Sequence, residues 1–251
     1  MLYCESVDST NTVALAMARD GAARGTVVVA ETQTQGRGRL GKKWLSPPAT
    51  GLYCTVLLRP SISLEHLARL TLAAGLATAY ALEEVSGLSC MIKWPNDVLV
   101  HGNKVAGILA ECDLVAGGCP TVALGIGINL ATTQDQLPQN MRVRATSLWL
   151  ASGRLVGKGQ MLSTLLRWVD RVVYRLECGD FAGILGEWKS KDATAAQQLA
   201  WLTTDGRTII GKSLGPDQEG CLLIRDRAGR CHQVMSGDIT LDPSTLNGYF
   251  P

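Results

Sequence analysis

Long apolar runs are missing from this chain, and that absence is the first constraint on what it does. No stretch reaches the ~20 residues that cross a bilayer, and the start "MLYCESVDST" has neither the basic nor the apolar segment of a secretory signal. The expectation is a cytoplasmic protein with no membrane partner. Charge of one sign is missing too: the formal net charge is only +2, so there is no broad basic field of the kind that holds nucleic acid. Histidine is scarce, with His66, His101 and His232 far apart, and the eight cysteines include no C-x-x-C pair. That spacing argues against a structural zinc site and a disulfide framework, leaving reduced core thiols as the expected state. Apolar residues are plentiful, 46% against 18% charged, enough in 251 residues for one substantial domain and a small one.

Against this near-neutral background one segment stands out. "TQTQGRGRLGKKW", residues 32 to 44, follows the β-branched run "TVVVAE" of a buried strand and fits two phosphate-loop patterns at once. Gly36, Gly38 and Gly41 spell G-x-G-x-x-G, while Gly36 to Lys42 nearly spells G-x-x-x-x-G-K. Both readings fail. A dinucleotide turn must open a helix, yet Pro47 and Pro48 stand where it would run, and "YCTVLLRPSI" lacks the acidic residue that holds a ribose. A Walker loop needs a hydroxyl directly after its lysine to reach magnesium, and Lys43 fills that place. What survives is a glycine-rich loop carrying Arg37, Arg39, Lys42 and Lys43, suited to an anion with several phosphate or carboxylate oxygens. Its glycines and mutually repelling cations also predict a broad ensemble for residues 36–43 that closes only over ligand.

Around this loop, "DSTNTVALAMARDG" reads as a helix capped by Ser9 or Thr10 and ended by Gly21. Strands are expected at Thr26 to Glu31 and in "GLYCTVLLRP", then a long helix from Ser63 to Gly87. "CMIKWPNDVLV", a tight turn at Gly102 and Asn103, "VAGILAECDLV" and "PTVALGIGINL" read as an antiparallel meander. A polar link from Ala131 to Ala145 shows no periodicity, and helices follow at about 159–177 and 181–191. From about Ala193, short apolar runs alternate with "TDGR", "DQEG" and "RAGR", the pattern of a small antiparallel barrel. The predicted class is α+β, with helices packed on a mixed or antiparallel sheet. Residues 1–192 are expected as one domain and 193–251 as an SH3-like barrel.

Four stretches occur in order: "STN" at Ser9 to Asn11, "QTQGRGRLGKKW" at Gln33 to Trp44, "KWPNDV" at Lys93 to Val98 and "KVAGILAE" at Lys104 to Glu111. "GIGIN" at Gly125 to Asn129 joins them. Together they resemble the biotin protein ligase family over nearly the whole chain. The resemblance implies the class II synthetase-like fold of biotin and lipoate ligases. It implies ATP, magnesium and biotin as reactants, no tightly bound prosthetic group, and a biotin carboxyl carrier domain of a carboxylase as partner. Biotin and ATP would give biotinyl-5′-AMP, whose mixed anhydride is attacked by a lysine of that carrier.

Joining a carboxylate to an α-phosphate brings two anions together, so cations are needed where they meet. On the family pattern the catalytic residues are Lys104, Arg39 and Asp97. Lys104 is expected at the carboxylate and phosphate, Arg37 and Arg39 in a loop over the adenylate, and Asp97 at magnesium or at the acceptor lysine's proton. Ser9, Thr10, Asn11 and Gln33 offer neutral groups to the uncharged ureido ring of biotin. Arg37, Gly38, Arg39, Lys104, Gly107 and Gly127 complete the expected biotin site, the last two leaving room against the sheet. ATP is expected at Arg37, Arg39, Trp44, Asn96, Lys104 and Asn129, with Trp44 over the adenine or the loop's apolar underside. Leu40 stands where many family members carry a third arginine.

Two other functions compete. Lipoate or octanoate transfer uses a related fold, but Gln33 with the full "GRGR" loop favours a polar ring over a fatty chain. A nucleic-acid-binding module would grip with the basic loop and the barrel; near-neutral charge and the lack of an aromatic-studded basic sheet speak against it. With "STN" eight residues from the start, the expectation is a short form lacking the helix-turn-helix domain of some family members, and no DNA partner. Exposed edge strands of the meander offer a route to a homodimer.

Overall fold

The computed structural model describes residues 1–61, 66–113, 120–139, 144–203, 207–235 and 238–241. Strand β1 (Leu2–Val7), helix α1 (Thr10–Arg19) and strand β2 (Val27–Gln33) form a crossover that leaves the two strands parallel, with Leu2 beside Val28 and Val7 beside Gln33. The sheet continues through β3 (Gly51–Leu58), β4 (Cys90–Lys93), β5 (Asp97–Val100), β6 (Asn103–Asp113) and β7 (Thr121–Asn129). Its order is β1-β2-β3-β7-β6-β5-β4, antiparallel at every pair after the first. The expected meander is therefore present.

Both faces of the sheet are covered. Helix α1 meets one face through Ala14, which packs with Val28, Leu57 and Ala123. Helices α2 (Leu67–Ser86), α4 (Lys158–Glu177) and α5 (Phe181–Ser190) cover the other. Alternation along β3 sends Leu52, Cys54, Val56 and Leu58 to this larger core and Leu57 to α1, which is why the whole strand reads as apolar. Leu70, Leu76 and Leu82 of α2 and Trp188 of α5 are wholly buried. Each such side chain contributes about 1.5–3 kcal/mol by leaving water.

Local details depart from the sequence reading. Helix α2 begins at Leu67, and Ser63, expected to start it, lies outside the described residues, as does Cys119. It stops at Gly87 as expected, in the left-handed region at φ 72°, with the Gly87 N–H returning to the Glu83 carbonyl. Ser9 takes the N-cap place of α1, but its hydroxyl caps nothing. The segment "CMIKWPNDVLV" is two strands, because Trp94 to Asn96 turn the chain between β4 and β5. The next turn falls at His101 and Gly102, and Asn103 already belongs to β6. Helix α3 (Leu148–Ser152) was not foreseen: five residues are too few to show a helical period. Of the thiols, Cys54, Cys90 and Cys221 are buried but Cys178 and Cys231 are exposed, so not all are core residues. Burial pushes the Cys54 and Cys90 thiols up to about 12, which keeps them protonated and unreactive.

The meander's outer edge is not open. At β4, Ile92 N donates to the Lys191 carbonyl and Ala193 N donates to the Ile92 carbonyl, so the chain after α5 closes that side. The exposed edge is β1, where Leu2 and Tyr3 face solvent.

Strands β8 (Gln198–Leu202), β9 (Thr208–Pro216), β10 (Leu222–Asp226), β11 (Cys231–Val234) and β12 (Asp238–Leu241) make a second, wholly antiparallel sheet ordered β11-β10-β9-β8-β12. This matches the evenly spaced turns of the C-terminal sequence. The second sheet is pinned to the first unit by Trp94 Nε1 donating to the Gly220 carbonyl at 3.0 Å and by the Arg69–Glu219 ion pair at 2.8 Å. Among the described residues no helix is long and apolar enough to cross a membrane.

Candidate active site

The glycine-rich loop leaves β2 and folds back on itself as a hairpin. Trp44 N donates to the Gly36 carbonyl, Gly38 N to the Lys42 carbonyl, and Arg37 pairs with Lys43. These cross-loop hydrogen bonds close the loop into a hairpin over residues 36–44. A side chain at Gly36 would strike the Trp44 carbonyl, so the glycine is required for the closure. No helix follows the loop: past the two prolines the chain enters β3 at Gly51, so neither phosphate-loop motif is realised.

Beneath the hairpin lies a cleft of about 220 Å3. Every residue expected to bind biotin or ATP lines it, including Ser9, Asn96, Gly107, Gly127 and Asn129. Helix α1 and β2 form one wall. Gln33 Oε1 accepts from Thr10 N at 2.9 Å, and Gln33 Nε2 donates to Ser46 Oγ at 2.8 Å. Thr55 Oγ1, fully buried on β3, donates to Asn11 Oδ1 at 2.6 Å and lies 2.8 Å from the Thr10 hydroxyl. Asn11 Nδ2 donates to Glu111 Oε2 at 2.7 Å and to the Leu109 carbonyl. This wall is neutral, buried and held by its own hydrogen bonds.

The other wall is cationic. Lys104, at the start of β6, has its backbone held on both sides: its N–H donates to the Arg144 carbonyl and its carbonyl accepts from Thr146 N. Its ammonium sits 2.6 Å from Asp97 Oδ1 and 5.2 Å from the Trp44 ring centroid. Both partners of this pair are about three-quarters covered, so the lysine is not the solvated turn residue its neighbours "HGN" suggest. Arg39 lies over the Trp94 ring at 5.8 Å. Arg37 forms an ion pair with Glu111 at 2.9 Å and donates to Thr12 Oγ1.

At several of these positions the protein's own side chains already occupy the groups or the space expected for ligand. The space left by Gly107 and Gly127 is filled by Trp44, whose ring atoms come within 2.9 Å and 2.5 Å of where a Cβ would stand. Asn96 and Asn129 face the cleft but use their amides structurally, Asn96 Nδ2 donating to the Ile108 carbonyl and Asn129 Nδ2 to the Thr146 carbonyl. Asn11 is likewise engaged on both sides of its amide. Sequence reasoning missed Tyr53, Lys93 and Ile239 among the lining residues; Ile239 arrives from the second sheet, and nothing local in the sequence marks it.

Comparison with known proteins agrees with the geometry. Residues 3–129 match the model of the biotin/lipoate A/B protein ligase family. A biotin–[acetyl-CoA-carboxylase] ligase of Paracoccus denitrificans is 35% identical over 230 residues, covering 89% of this chain and 93% of that enzyme. The bifunctional ligase/repressor BirA of Bacillus subtilis is 34% identical over 96% of this chain and 74% of its own length. Among solved structures, the biotin protein ligase of Aquifex aeolicus in complex with biotin and ATP superposes with a TM-score of 0.82 at 32% identity, covering 96% of this chain and 97% of that one. The chain belongs to the biotin/lipoate A/B protein ligase family.

Proposed function

We propose that this chain joins biotin to a lysine of a biotin carboxyl carrier domain, at the expense of ATP and through biotinyl-5′-AMP. The observation that carries this reading is the split character of the cleft, neutral and prearranged on one side and cationic on the other. A neutral bicyclic head with a carboxylate tail fits that polarity; a fatty chain would lay apolar surface against the polar wall around Thr10 and Gln33.

In the first step a carboxylate oxygen of biotin attacks the α-phosphorus of ATP and pyrophosphate leaves. Lys104 Nζ lies beside the junction of the two anions and stabilises the charge that gathers there. Arg37 and Arg39 close over the adenylate from the loop. Magnesium carried in with ATP would neutralise the phosphate charge, and Asp97 is the residue that would hold it. Asp97 is the one carboxylate among the described lining residues, and one carboxylate plus phosphate oxygens is magnesium's usual company. In the second step the acceptor amine attacks the anhydride carbonyl, AMP leaves, and the amine gives up a proton. We propose Asp97, paired with Lys104 at 2.6 Å, as the acceptor of that proton when it is not engaged with magnesium.

Trp44 is the movable part. A cleft of about 220 Å3 is small beside the roughly 300–1,000 Å3 of small-molecule sites, and the indole fills its floor with an N–H that has no hydrogen-bond partner among the described residues. Moving the ring from the glycines to the adenine frees the floor for biotin.

We assign residues 1–192 as the catalytic domain and 193–251 as an SH3-like domain. We further propose a cytoplasmic enzyme without a DNA partner, and the β1 edge as the surface through which two copies would pair. The test is exchange of labelled pyrophosphate into ATP. Exchange that needs biotin and magnesium supports the reading, and exchange that needs lipoate or octanoate instead refutes it.

A further inference from the structure

Glu111 ends the "KVAGILAE" stretch, lies outside the cleft, and has no part in the chemistry above. Its position is nonetheless specific. One oxygen, Oε2, accepts from Asn11 Nδ2 at 2.7 Å and from Arg37 NH2 at 2.9 Å. Asn11 is fixed in turn by the Thr55 hydroxyl on its carbonyl side, so its amide can present only its NH2 group to Glu111. A chain of hydrogen bonds therefore runs from the buried centre of β3, through the start of α1 and Glu111 near the end of β6, to the first arginine of the hairpin. We infer that Glu111 is a positioning residue, tying the basic loop to the neutral wall so that the two halves of the cleft are held in register.

The physical case rests on alternatives. Without Glu111, Thr12 is the one side-chain partner left to the Arg37 guanidinium among the described residues, and the hairpin is left to its own cross-loop hydrogen bonds. Three glycines and four cations between Gly36 and Lys43 favour opening once that anchor is gone. A loop competent for only part of the time lowers apparent affinity in proportion to the lost population, while leaving the chemical step of the closed form intact. The effect should appear in KM and in loop accessibility rather than in kcat. Part of this inference depends on the ligase reading above, so the experiment has one arm that needs activity and one that does not.

Glu111→Gln keeps shape and hydrogen-bonding groups and removes the charge. The expected results are an unchanged melting temperature, an apparent KM for ATP raised about tenfold with kcat within about threefold, and faster trypsin cleavage between Arg37 and Lys43. Arg37→Gln, which breaks the same pair and also removes a cation assigned to the adenylate, should raise KM by more than Glu111→Gln does and give the same faster cutting at Arg39, Lys42 and Lys43. The double variant should be no worse than Arg37→Gln alone, because Glu111 acts through Arg37. Additive losses, or a kcat collapse at constant KM, would overturn the inference. So would a Glu111→Gln loop as resistant to trypsin as the wild type, a result that stands even if the wild type shows no activity with biotin; such inactivity would refute the ligase reading by itself.

Discussion

The two walls of the cleft solve opposite problems. The α1–β2 wall is buried and made of short neutral side chains, each holding another: Thr55 holds Asn11, and Gln33 holds Thr10 and Ser46. The loop wall is exposed, rich in glycine, and held by ion pairs and a cation over a ring. An uncharged ring is best recognised by donors and acceptors already in place, since nothing else compensates its desolvation. A polyphosphate is recognised by charge, which tolerates movement and permits the site to close after binding. Rigidity belongs where the ligand is neutral and mobility where it is charged.

The largest effect is expected on the charged side. Lys104→Ala removes the ammonium from the meeting point of two anions, and biotin-dependent pyrophosphate release should slow by about 100-fold or more, the scale for losing a preorganised electrostatic group. A near-normal rate would mean that the loop cations suffice without it. Next comes the neutral wall. Thr55→Val is nearly isosteric but strips Asn11 Oδ1 of its donor in a fully buried place, so unfolding free energy should fall by about 1–3 kcal/mol. If denaturant titration shows no loss, the wall is not held as described.

Much of this contrast was legible in the sequence, and the limits are physical. The loop, the "KWPND" turn and the meander show because their chemistry is local: glycines and cations adjacent in the chain, a proline at a bend, β-branched runs between turns. The pairing of Asn11 with Glu111 spans 100 positions, and the seat of Trp44 on Gly107 and Gly127 depends on how the loop lies over the sheet. Ile239 reaches the cleft only because Trp94 and Arg69 anchor the second sheet beside it. The glycines read as leaving room for ligand, and that a side chain of the loop fills the room could not be read from them. In the same way, the amides of Asn96 and Asn129 look free in sequence and are committed in the fold.

Smaller effects sharpen the comparison. Arg39→Gly should leave adenylate formation largely intact but let the intermediate escape, raising biotin on bystander lysines about tenfold, the scale of one lost charge-assisted hydrogen bond. Labelling still confined to the carrier domain would remove Arg39 from retention. The smallest is a pH effect outside the cleft, at Glu31 on β2. Hydrogen bonds from Lys158 and Tyr3 hold its carboxyl below the ordinary range, and Lys158 approaches to 2.7 Å. A depressed folded-state value means this stabilisation is present above the unfolded carboxylate's range and is lost as pH falls through the folded one. Glu31→Gln should therefore lower Tm at neutral pH by about 2–4 °C or less, with the gap closing in acid. A gap that persists at low pH would show that packing, not charge, links β2 to α4.

The central claim is that one cleft, neutral at one end and cationic at the other, activates biotin and passes it to a carrier lysine. Intact-mass analysis of a biotin carboxyl carrier domain incubated with this protein, ATP, magnesium and equal amounts of biotin and lipoate tests it most directly. The account predicts a single biotinyl group on one lysine, no lipoyl group, and no modification when ATP is withheld. A carrier that gains lipoyl, or stays unmodified while the protein is folded and ATP is present, would contradict it.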